Sequence, residues 1–590
     1  MSESTTFTWL GDSGTGGNGD WGTVTDWSAN GDPGLGDTAL FNTGSADVVG
    51  TNVNGSETIA QIQIVGDQVT FTGTILQDPA ATGDFIDVTD LPDSAGGSTQ
   101  GQLTIADGAL VQGNTDVNLA NVGDLLTVNG TLIDGGSTAD VAIVDGGDAN
   151  WTNAGAVTLN GLQVTNGATF AGDINLNNNG YINIDDSATF GGQTLTLGGN
   201  GSIYVSDESG TTNGSYTLNE QIVLGAQGTA LTLGDDPDVT TTVATNISGA
   251  GSLIIGGFGT VSLTGTNSFT GGILVTGGTL ILNGPGTAGS STGPILLNGG
   301  ALIDQPDSTG AVAPQTIIGT GDGADTVTAS TSGLLVFAGS ASAFTFVGGS
   351  GASSVIGGTG VLTANAGTGG DIIFGGSSGA DTITSALGSA TLVGGGNGGD
   401  LIASGTANNA LAAGGGTTSL DASGSSGNIL FFGAATGNTN ELLGSGTSTV
   451  VAGAGDTSYI AGAAGNSLIF GSGGAQDIVL GTGNTTLIGG SGAEAVSAGT
   501  GTNEIFAGGG TLELNYVNGS AGGTDLVLGF NTSTDLIDLT GYGTATAQSI
   551  LSSALVTGGS TYITLADQSV IALFGVTNLT TSNIAITLPN

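Results

Sequence analysis

Two to four residues of apolar/polar alternation, a glycine or Asn-Gly pair, then alternation again: this unit recurs through most of the chain and constrains its fold more than any other feature. Alternation with a period of two describes a half-buried strand, and glycine or asparagine between two such runs describes a tight turn. Leu195-Thr196-Leu197 is followed by Gly198-Gly199-Asn200-Gly201 and then by Ile203-Tyr204-Val205. Leu231-Thr232-Leu233, Val261-Ser262-Leu263 and Leu280-Ile281-Leu282 sit in the same setting. Asn-Gly pairs begin at Asn129, Asn160, Asn166, Asn283 and Asn298. They supply left-handed backbone, which serves a solenoid corner or a β-hairpin. Strand, turn and strand repeat with so little change of character that stacked coils are the better reading, with Thr, Ser and Asn aligned in ladders between coils. The predicted fold class is all-β: an elongated parallel β-helix or β-roll, with coils of about 20 residues stacked at about 4.8 Å. No long amphipathic helical pattern competes. One short candidate, residues 547–555, places Ile550, Leu551, Ala554 and Leu555 on one side.

The ionisable residues are all of one sign. The 590 residues include 48 Asp and Glu but no Lys, Arg, His or Cys, a formal net charge of -48. Without guanidinium or ammonium groups the chain cannot clamp a phosphate or neutralise a nucleic-acid backbone, so nucleic-acid partners and phosphoryl transfer are excluded. The imidazole base, the thiolate, the Schiff-base lysine and the nitrogen or sulfur metal site are missing too. No enzymatic function is expected; paired carboxylates hydrolysing a neutral glycoside are the one chemistry left open. The cation suited to oxygen-only ligands is calcium, the expected cofactor. Only 8% of residues are charged and 38% are hydrophobic, which sets the chain apart from disordered acidic segments. Apolar runs such as 429–432 are far too short to span a bilayer, so no membrane insertion is expected. Residues 1–6 have no basic or apolar signal region, and a cleaved N-terminal export signal is not expected.

Four segments differ in character. Residues 1–75 hold Trp9, Trp21 and Trp27, and the runs Gly19-Asp20-Trp21, Asp26-Trp27-Ser28 and 33–41 resemble the N-terminal cap of bacterial autotransporter-like β-helix proteins. These tryptophans suit either an apolar plug for an open solenoid end or a stacking surface for sugars. Residues 76–310 form the expected parallel β-helix body. There Gly249-Ala250-Gly251-Ser252-Leu253, the run 259–272 and Gly277-Gly278-Thr279-Leu280 resemble the repeats of autotransporter passenger domains. Residues 311–520 resemble, in degenerate form, the calcium-binding nonapeptides of repeats-in-toxin proteins, G-G-x-G-x-D-x-U-x with U a large apolar residue. Gly395-Gly396-Asn397-Gly398-Gly399-Asp400-Leu401-Ile402-Ala403 matches throughout, with near matches around Asp381, Asp371 and Asp325 and with Glu494 in the acidic position of 489–497. The resemblance implies that glycine carbonyls and an Asp form an oxygen cage, completed by acids from two coils. Asp381 and Asp400, nineteen residues apart and close to the eighteen-residue interval, are the best pair, and Asp371, Asp325 and Glu494 complete the candidate metal ligands. Ser354 stands in one acidic slot, and Asn466 and Asn484 occupy similar turns without a carboxylate. The alternative is a calcium-independent solenoid held by ladders, with Asp facing solvent. Residues 521–590, through 524–530, 535–542, 561–567 and 570–576, resemble the closing β-cap of repeats-in-toxin domains, which implies an uncleaved type I secretion signal.

The expected function is that of an extracellular or cell-surface structural protein that assembles with copies of itself into a surface layer or fibre, assisted by calcium. A glycan-binding surface adhesin is the alternative. A change of coil type is expected near residue 310, between Pro306 and Pro314.

Overall fold

The computed structural model describes residues 5–588 apart from 11–18, 29–30, 43–45, 51–55, 78–80, 82–84, 90, 93–97, 100, 107–108, 114–116, 120–124, 129–130, 135–141, 146–149, 154–155, 186, 192–193, 208–213, 284–287, 289–294, 305–314 and the single positions 322, 332, 379, 456, 463 and 521. Strand makes up 55% of the chain and helix 3%, in parallel stacked coils amounting to about 19 turns of β-solenoid. The repeat therefore encodes coils, not hairpins. Two compact units divide the chain, residues 1–296 with 300–310 and residues 297–299 with 311–590. Pro306 and Pro314, where a coil change is expected, lie outside the described residues.

In the first unit, strand Thr38–Phe41 pairs in parallel with Thr6–Thr8 on one side and Gln61–Val65 on the other, so the tryptophan-rich segment contributes rungs to the sheet that follows it. Trp9, Trp21 and Trp27 are 0–1% exposed. Their rings meet edge-on at 4.9 Å (Trp9 with Trp27) and 5.2 Å (Trp21 with Trp27), and Phe41 lies 5.7 Å from Trp27. Indole N–H groups are satisfied inside the cluster: Trp27 Nε1 donates to the Trp21 carbonyl at 2.9 Å. The tryptophans are packed in the interior, and none presents a face on which a sugar could stack. Further along, Trp151, Phe170 and Phe190 stack in register as an interior aromatic ladder.

In the second unit two sheets face each other across the coil. Strands Gln315–Gly319, Leu334–Phe337, Ser354–Ile356 and Ile372–Phe374 begin one; strands Ala324–Thr328, Ala343–Val347 and Val361–Ala366 begin the other. In the first of these sheets aligned residues recur every 18 to 20 positions from Ile318 to Phe506, as Ile356↔Phe374 and Ala412↔Phe432 show. Strict alternation sends one residue inward and the next outward. The inward column of the first sheet includes Val336, Val355, Ile373, Leu392, Leu411 and Phe431, all buried. Corners are tight enough to need glycine. Gly437, Gly455, Gly474, Gly492 and Gly510 stack coil on coil, and a Cβ on Gly510 would lie 1.6 Å from the Gly492 carbonyl oxygen.

The C-terminal end of this unit closes by reversing direction. Strand Val570–Phe574 adds in parallel to Thr524–Leu528, Ser560–Thr564 returns antiparallel to it, and Leu555–Thr557 forms a three-residue outer strand. A short outer strand offers little edge for another strand to join. The expected helix spans Ala547–Ser553, started by a capping box in which Thr546 Oγ1 accepts from the Ser549 N–H and Ser549 Oγ accepts from the Thr546 N–H. None of its residues is buried. Among the described residues, no helix is long and apolar enough to cross a membrane.

Candidate functional site

The Asp-bearing turns of the second unit are where sequence motifs and structure can be compared most directly. Asp371 begins the first of these corners. Its Oδ1 accepts from the Ser353 N–H of the preceding coil at 2.7 Å, and its Oδ2 accepts from the Gly367 N–H of its own turn at 2.7 Å. Asp381 repeats the arrangement on the opposite sheet, with Oδ1 taking the Leu362 N–H at 2.9 Å and Oδ2 the Gly376 N–H at 2.6 Å. Asp325 Oδ1 takes the Gly299 N–H at 2.7 Å, and Glu494 Oε1 takes the Gly490 N–H. All four carboxylates are buried. Each is thus an inward side chain that holds a glycine-rich turn, and Asp371 and Asp381 also tie that turn to the coil before it.

Asp400 does something else. The parallel register sets Asp381 against Gly399 and Thr382 against Asp400. A one-residue offset sends side chains to opposite faces of a strand, so Asp381 points inward and Asp400 outward into solvent. The best pair read from sequence is therefore not a pair: the two carboxylates lie on opposite faces of one sheet.

A calcium cage requires roughly six to eight oxygens with lone pairs directed at the ion. Here the buried carboxylate oxygens of Asp371 and Asp381 are directed at N–H donors, which a cation would have to displace. Among the described residues no three Asp or Glu side chains converge as a metal-binding group. At Asp371 and Asp381 both carboxylate oxygens are engaged by backbone N–H groups, so the carboxylate itself supplies the corner's connection; Asp325 and Glu494 each accept one such bond. None of these residues faces solvent, although the alternative reading of a calcium-independent solenoid expects it. The missing signal was the donor set, since an inward Asp flanked by glycine has the same sequence signature whether its neighbours offer carbonyls or N–H groups.

The predicted polar ladders are present. Asn408 Oδ1 accepts from the Asn428 N–H at 2.8 Å, and Asn466 Oδ1 from the Asn484 N–H at 3.2 Å. Asn484 Oδ1 then takes the Thr502 N–H at 2.9 Å. Beside this ladder runs an open groove of about 720 Å³ lined by Asn408, Asn428, Ile372, Ala410 and Leu430 among others.

Three acidic residues that sequence reasoning passed over are electrostatically the most unusual. Glu441 occupies an inward rung between Leu420 and Ile460, 0% exposed, with no hydrogen-bond partner on either oxygen. Burial alone pushes its carboxyl up to about 8. In the first unit burial pushes Glu220 up to about 8 and Asp235 up to about 7. Near the C-terminal end Asp525 accepts from Asn503 Nδ2 at 2.7 Å and from the Tyr516 hydroxyl at 2.6 Å, and burial holds it above the usual carboxylate range. Protonation of buried, unpaired acids is the expected response of a chain with no cation to pair them.

Stacked parallel coils, an apolar interior and turns held by side chains define the protein as a β-solenoid. No protein-family model and no curated protein matches the sequence, so the likeness to autotransporter and repeats-in-toxin repeats rests on the motif residues alone.

Proposed function

We propose that the protein is an extracellular structural protein that self-assembles on or around the cell. The observation that carries this reading is the use of the corner carboxylates: Asp325, Asp371 and Asp381 bond to N–H groups of the coil before them and Glu494 to its own turn, which leaves Asp400 as the outward acid of the set. What remains on the outside is a set of repeating strand faces, suited to contact with another regular surface and not to turnover of a substrate. Export through the segment 521–590, which the repeats-in-toxin resemblance implies, belongs to the same proposal. Calcium's part in it is confined to solvent-facing carboxylates such as Asp400, where it would screen charge between copies. Negative-stain electron microscopy of the full-length protein over a range of concentrations tests this. Ordered sheets or fibres support it; dispersed particles at every concentration, salt level and pH reject it.

The groove beside the Asn408 and Asn428 ladder favours a second reading, a glycan-binding adhesin. Amide groups next to Ile372 and Leu430 match the mixed polar and apolar surface of a sugar. Retention of the protein on immobilised neutral polysaccharide, lost on Asn428→Ala, would support it.

A further inference from the structure

On the sheet that runs from Gln315–Gly319 to Val570–Phe574, the last outward position of each parallel strand is apolar. Register places Ile318, Phe337, Ile356 and Phe374 side by side, and the column continues without a polar interruption through Phe432 and Phe506 to Phe574. These side chains are not core. Their inward neighbours fill the coil, while the column itself stands in solvent, with Phe432 42% exposed and Ile356, Phe374, Val451, Ile488 and Phe506 exposed to a similar degree. The adjoining outward column, from Leu335 to Leu526, carries a carboxylate at one position, Glu504.

We infer that this face is the interface through which two copies of the chain meet. The inference rests on the proposed self-assembly and specifies its surface. Three observations select a second copy as the occupant. The first is charge: every chain carries a formal -48 and no basic side chain, so copies repel wherever carboxylates face each other, and this face almost lacks them. Area is the second. Thirteen rungs at about 4.8 Å give a strip roughly 58 Å long, and two outward columns make it about 14 Å wide, so roughly 800 Å² per copy, the share of a standard interface. Third, the face is shaped to receive itself. The apolar column runs two residues along each strand from the groove lined by Thr391 and Ala410, and a two-fold axis would lay each copy's column along the other's groove. The C-terminal edge of this sheet is closed by its antiparallel cap.

The test uses full-length protein carrying Phe432→Asp and Phe470→Asp, with Phe258→Asp as control, since Phe258 is 79% exposed and lies in the other unit. Sedimentation analysis should show association weakened at least tenfold in the ladder variant and unchanged in the control. The cysteine-free chain permits a second readout that does not depend on a charged substitution: nitroxide-labelled Phe432→Cys should show dipolar broadening between copies, and labelled Phe258→Cys should not. Wild-type assembly together with undiminished association of the ladder variant, or an absence of broadening at position 432, overturns the interface while leaving self-assembly standing. A wild-type chain that stays monomeric throughout overturns both.

Discussion

Replacing Glu441 with leucine should stabilise the protein at neutral pH and remove a pH dependence that the wild type shows. The carboxyl lies in the apolar interior column, above Leu420 and below Ile460, where leucine matches its neighbours in size and chemistry. Its folded value of about 8 is well above the ordinary 4.5, so between those limits the folded chain holds a proton that the unfolded chain has released. Stability is then fully present below about pH 4.5 and falls as pH rises, by about 1.4 kcal/mol per unit, levelling off near pH 8. At pH 7 the loss is about 3 kcal/mol, and above pH 8 about 5 kcal/mol. Glu441→Leu removes this loss, so its advantage over wild type should grow across that window. Urea unfolding followed by far-UV circular dichroism measures it. All four tryptophans lie in the first unit, so a transition seen by dichroism without a change in tryptophan fluorescence reports the second. Equal stability of the two proteins at neutral pH, or an advantage that does not grow with pH, would refute the reasoning.

Asp381→Ala leaves the Leu362 and Gly376 N–H groups without their acceptor and should lower stability by about 2–4 kcal/mol, read as a lower urea midpoint of the second unit. Asp400→Ala, at an outward position of the adjacent rung, should change the midpoint by less than about 0.5 kcal/mol. Gly510→Ala drives a methyl group into the Gly492 carbonyl and should destabilise by about 3 kcal/mol; a midpoint within error of wild type would contradict the close stacking.

How much of this was legible in the sequence depends on which physical signal a residue carries. Period-two alternation broken by glycine specifies stacked strands wherever neighbouring runs agree, which is why 195–205 or 260–282 read correctly as coils. Burial of Trp9, Trp21 and Trp27 was open between plug and binding face, because an aromatic's sequence signature does not say what covers it. Register was the main loss. Asp381 and Asp400 are spaced almost as the nonapeptide requires, yet a single residue of offset turns one inward and the other outward. Glu441 was hidden for a related reason: in Thr439–Leu442 the apolar residue is Leu442, but Thr439 and Glu441 face inward because the strand aligns with Thr418 and Leu420. The outward ladder did leave a trace. Phe374, Phe432, Phe470, Ile488 and Phe506 each end a strand directly before a glycine or alanine, at a position that the inward pattern does not require to be apolar.

The carboxylate oxygens of Asp371 and Asp381, bonded to backbone N–H groups, close their corners of the second unit. Calorimetric titration of calcium into metal-stripped full-length protein, paired with circular dichroism before and after chelation, tests it most directly. The β-sheet spectrum should stay unchanged, with only weak, salt-sensitive heats from surface carboxylates. Several equivalents of calcium bound tightly, with β-structure gained on binding and lost on chelation, would contradict it.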